Sequence, residues 1–127
     1  MSETPSSADA NDIALRSSID RSLRHPVMFF FTCGALWLAV AAVLGLIASA
    51  KKHMPEFLGG CSLFDAGKID AAHINALIYG WGFQAAFGMI IWLMARLSPT
   101  ACTSSVIVLV PGHLLNSAVL FLSLIHI

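Results

Sequence analysis

"DAAHINALIYGWGFQAAFG", residues 70–88, carries one formal charge at Asp70, and no other appears before Arg96. A helix needs about 20 mostly apolar residues to cross the hydrocarbon of a bilayer. The uncharged run from Ala71 to Ala95 exceeds that length. It therefore reads as a membrane span, and that reading decides the fold class. One imidazole, His73, sits just inside its polar end.

Two further runs flank it. The first, Val27 to Ala50, is "VMFFFTCGALWLAVAAVLGLIASA", closed by Lys51 and Lys52. Pro26 suits the first turn of a helix, where a missing N–H costs nothing. The "ASA" at Ala48–Ala50 is shaped like a signal-peptide cleavage site. The run is longer than the 7–15 residues of a signal core, so it reads as a retained span. The third, 101–127, is "ACTSSVIVLVPGHLLNSAVLFLSLIHI", and its Pro111-Gly112 pair is expected to kink or break it.

Composition agrees. The 127 residues are 57% apolar and 11% charged, with a mean hydropathy of +0.81, whereas soluble domains carry roughly 25% charged residues. The expected architecture is an all-α integral membrane protein with spans at about 27–50, 71–95 and 101–127. A polar tail, 1–24, precedes this membrane region of 25–127 and reads as mobile, with some helix near Asp12–Arg24. Zero net charge offers no electrostatic footprint for nucleic acid. Cys33, Cys61 and Cys102 have neither metal-site spacing nor an even count.

The loop from Lys51 to Asp70 is too apolar for a solvated linker. Met54, Phe57, Leu58, Leu63 and Phe64 would favour the headgroup boundary. Arg16, Arg21, Arg24 and Arg96 lie on one side of the first two spans, and Lys51, Lys52 and Lys68 on the other. That excess places the N-terminus in the cytoplasm and His73 near the outer face.

Spacings of three and four from His73 pick out Ala76, Leu77, Gly80, Phe83, Gln84 and Phe87 as one helix face. Small residues and phenylalanines there would form a slot for a flat apolar ring. Gly80, Gly82 and Gly88 equally suit close helix packing, and both readings stand at this point. An imidazole near a helix end is either interfacial or a metal ligand, since neutral imidazole binds iron well. His25 and His53 flank spans and read as interfacial. His113 and Asn116 are placed to hydrogen-bond between helices, while Tyr79, Trp81 and Trp92 read as packing and belt aromatics.

The order Gly67-Lys68, then "HINA" (His73–Ala76), then "YGWG" (Tyr79–Gly82), with "MPEF" (Met54–Phe57) before it, resembles the first-loop and second-helix region of cbb-type cytochrome c oxidase catalytic subunits. These form the C-type branch of the haem-copper oxidase superfamily. The resemblance covers roughly residues 25–120 and is most specific over 65–97. It implies that His73 is an axial ligand of a low-spin haem b and that Lys68 approaches a haem propionate. Gly80 and Phe83 would then lie beside the macrocycle.

It further implies electron delivery from c-type cytochrome subunits in a bacterial inner membrane. A high-spin haem and copper would reduce oxygen, with proton translocation. Asp70 stands where a further basic residue is usual, and "HLLN" (His113–Asn116) lacks the family's tryptophan. The closing "LSLIHI", 122–127, resembles translated adapter sequence. Together with the absence of the family's later ligands, it leads to the expectation of a truncated reading frame. A nitric-oxide reductase large subunit shares the second-helix ligand, and a small non-catalytic membrane anchor or assembly partner accounts for the hydrophobicity alone.

Overall fold

The computed structural model describes residues 7–60, 65–98 and 104–126. Cys61, Leu63, Phe64 and Cys102, named above, lie outside the described residues, as do Ile127 and the side chains of 124–126. Four α-helices occur in order: α1 Ser7–His53, α2 Ala66–Asn75, α3 Phe83–Leu97 and α4 Ser105–His126. A π-helical segment, Ala76–Gly82, joins α2 to α3, so the two form one continuous rod. Three rods are thus long and apolar enough to cross a membrane, and the fold is that of an all-α membrane protein.

The helix expected near Asp12–Arg24 starts earlier and is continuous with the first span. Residues 7–24 belong to α1, and Pro26 lies inside the helix instead of in its first turn. The cause is a continuous apolar stripe. Ile19, Leu23, Pro26, Phe30, Gly34, Ala41 and Ala48 are all buried at helical spacing, so the face that packs in the span also runs into the polar end. An exposed i,i+4 pair, Arg16–Asp12 at 3.7 Å, lies beyond it. Likewise α4 passes through Pro111 without a break.

The α2–π–α3 rod runs antiparallel to α1. Lys52 meets Asp70 at 3.1 Å at one end, and Arg96 meets Asp20 at 3.2 Å at the other. A rise of 1.5 Å per residue sets these pairs about 48 Å apart along α1. That is close to the ~40–45 Å of a bilayer with its headgroups. Both pairs are substantially exposed, so they contribute little to stability. At the Lys52 end a tight turn follows α1. Lys51 lies buried beneath it, its Nζ donating to the Phe57 carbonyl at 3.2 Å. Met54, Phe57 and Leu58 are exposed on this turn.

The rods interlock by setting large side chains against glycines. At Gly80 a Cβ would lie 2.6 Å from Trp37 Cγ, so only glycine admits the indole. At Gly112 it would lie 2.6 Å from Phe29. Gly112 against Phe29 and Asn116 against Trp37 show α4 running parallel to α1, giving an up-down-up bundle.

Asn116 performs the interhelical role expected of it. Trp37 Nε1 donates to its Oδ1 at 2.7 Å, and its Nδ2 donates to the Gly112 carbonyl at 2.9 Å. His113 instead lies against the Phe29 ring, centroids 4.6 Å apart. Trp37→Phe and Asn116→Leu each remove one side of the indole–amide bond. A double-mutant cycle by unfolding in detergent is expected to give a coupling of about 1 kcal/mol, within the ~0.6–1.7 kcal/mol known between membrane helices. A cycle that closes near zero would show the bond to be incidental.

Candidate functional site

His73 enters the bundle one turn after Asp70, which pairs with Lys52 of α1 at the start of the rod. Its Nδ1 lies 2.8 Å from the Ala41 carbonyl of α1. In a helix that carbonyl sits beneath the residue one turn onward, which is Gly45. A Cβ at Gly45 would stand 2.9 Å from His73 Cε1 and 3.1 Å from Nδ1. The missing side chain is therefore what lets the imidazole reach the α1 backbone.

The bond fixes the chemistry of the ring. A carbonyl oxygen only accepts, so the neutral imidazole carries its proton on Nδ1 and keeps its lone pair on Nε2. An Nδ1–H held by a backbone carbonyl is the arrangement that orients metal-ligating histidines and raises their basicity. Among the described residues no group of three or more His, Cys, Asp or Glu side chains could hold a metal ion. A bare ion such as zinc takes three or four protein donors. A haem iron takes four nitrogens from its macrocycle and needs only axial ligands from protein, so a lone oriented Nε2 fits that class of group.

The other expected site residues fall in different places. Gly80 does share the α1-facing stripe with His73, and its notch holds the Trp37 indole. Phe83 does not share it: the ring is exposed, 5.4 Å from that of Tyr79. It borders an open apolar groove of about 480 Å³ with Leu77, Trp81 and Ala86. Lys68 is exposed on the first turns of α2, off the stripe.

The π segment explains the departure from the expected face. Its hydrogen bonds close one residue later than in an α-helix, as from the Phe83 N–H to the Ile78 carbonyl. Each wide turn shifts the phase, so the buried positions become Ala76, Gly80, Gln84 and Gly88, and Phe83 and Phe87 rotate outward.

Ala41, Gly45 and Trp37 are the functional neighbours that the sequence reading passed over. A glycine within "AVLGLIA" was visible, but which turn of α1 faces His73 depends on the register between rods. Searches against protein families, curated proteins and solved structures matched nothing. What fold and site define is a class: an all-α membrane protein bearing a single backbone-oriented imidazole.

Gly45→Ala tests the geometry. The added methyl is expected to push the ring off the Ala41 carbonyl at an overpacking cost of about 1–3 kcal/mol, against a helix-propensity gain of up to ~1 kcal/mol. Histidine ¹⁵N spectra would report it as loss of a single tautomer at His73. Gly67→Ala is the control, since its Cβ would meet nothing nearer than Asp65 Oδ2 at 3.8 Å. Equal effects at the two positions would refute the notch.

Proposed function

We infer that this chain forms the haem b-ligating N-terminal part of a cbb-type haem-copper oxidase catalytic subunit. The observation that supports the reading is the 2.8 Å contact between His73 Nδ1 and the Ala41 carbonyl, which leaves the ring's lone pair on Nε2, 3.4 Å from where a Gly45 Cβ would stand. The sequence resemblance around His73 gives the same residue the same role. A low-spin haem bound there would supply reversible one-electron chemistry.

The chain's own residues do the positioning. Ala41 holds the ring proton and Gly45 admits the ring to α1. The Lys52–Asp70 pair lies at the rod end one turn away. Lys68 is proposed to meet a propionate. Gly80 and Phe83 are proposed to border the macrocycle, which at Gly80 requires the Trp37 indole to yield. In this reading the N-terminus is cytoplasmic in a bacterial inner membrane, and electrons arrive from c-type cytochrome subunits near the outer face. Oxygen reduction and proton translocation depend on copper and a high-spin haem held elsewhere in the assembly. A nitric-oxide reductase large subunit would use His73 in the same way.

Two observations favour a second reading. The Gly80 notch is filled by Trp37 and the His73–Ala41 contact also serves as an interhelical hydrogen bond, as expected of a non-catalytic anchor. Titrating the detergent-solubilised chain with haem b separates the two. The oxidase reading expects a saturable shift of the haem absorption band, abolished by His73→Ala and retained by His113→Ala. It also expects conversion to a low-spin spectrum when free imidazole occupies the second axial position. The absence of any His73-dependent band would overturn the assignment and leave the anchor.

A further inference from the structure

Gln84 is the only glutamine in the chain and is fully enclosed, at 0% exposure. It follows the π segment, about midway between the ion-paired Asp70 and Arg96, so it lies near the middle of the span. Neither its Oε1 nor its Nε2 has a hydrogen-bond partner among the described residues. An amide left unpaired in an apolar interior is costly, and nowhere more so than in a bilayer. Buried polar groups are as a rule satisfied by protein or by ordered water.

The neighbourhood specifies the occupant. On the α1 side stands Gly34, where a Cβ would lie 3.4 Å from Gln84 Cβ, 3.6 Å from the Trp81 carbonyl oxygen and 3.8 Å from the Ala85 nitrogen. Gly34 brings no side chain to this spot, and the Trp81 carbonyl, three residues before Gln84 on the same rod, supplies an oxygen beside it. The carboxamide presents a donor and an acceptor together, so its partner must both accept and donate. Full enclosure excludes anything of bulk. Water alone meets both conditions.

We propose that Gln84 holds a buried water molecule at mid-membrane, between α1 and α3, with the Trp81 carbonyl as a further acceptor for it. The site is separate from His73 and stands or falls independently of haem binding. It supplies a hydrogen-bonding group at the depth where a charge is hardest to solvate.

Because the glutamine is unique, one isotope label reads the site. The full chain, labelled with ¹⁵N at the glutamine side chain and placed in lipid nanodiscs, is expected to show one NH₂ pair. Its protons should receive magnetisation from water. An NH₂ pair with contacts only to alkyl protons and no transfer from water would overturn the proposal. A second measurement compares hydrated films in H₂¹⁶O and H₂¹⁸O by infrared difference. A sharp O–H stretch of non-bulk water is expected in the native chain and lost in Gln84→Leu at unchanged helicity. Its persistence in that variant would equally overturn the proposal.

Discussion

In lipid, apolar side chains gain nothing by leaving one apolar medium for another, so helices associate through close packing and hydrogen bonds. Everything in this bundle depends on that constraint. Glycine notches let rods approach closely, and each notch takes a large side chain from the facing rod: Trp37 at Gly80, His73 at Gly45, Phe29 at Gly112. Two of these inserted rings then hydrogen-bond deeper in, Trp37 to Asn116 and His73 to the Ala41 carbonyl. Shape fixes the register, and the polar contact locks it.

The same constraint gives the imidazole its character. A histidine at a span's edge could simply turn toward water. Here the ring is turned inward and its Nδ1 is committed to backbone, which leaves one nitrogen with a defined direction. The large apolar surface that remains, with only 17%, 17% and 11% of the three span windows buried, must be covered by lipid or by further helices.

Hydrophobic run length was enough to read three spans from the sequence, because crossing a bilayer imposes a length that few soluble helices match. It also drew attention to His73, an ionisable group inside such a run. Three things were not legible. Composition set the tail apart and suggested helix only near Asp12–Arg24, whereas Ile19 and Leu23 extend the stripe of Pro26 and Phe30 and the helix runs from Ser7 without a break. Strict α-helical spacing put Phe83 on the histidine's face, because no residue in "ALIYGWG" announces a change of hydrogen-bond ring size. Ala41 and Gly45 stayed hidden for another reason: what faces what across two rods is a property of the pair, not of either stretch of sequence.

The length of α1 has a mechanical consequence. From Gly45 to Ser7 it extends about 57 Å as a single helix, a stiff lever with its fulcrum near the imidazole. A tilt of about 5° at that fulcrum sweeps the far end through roughly 5 Å, by the same rise per residue. The buried residues Ile19, Leu23 and Phe30 and the Arg96–Asp20 pair brace that lever along its length against its neighbours.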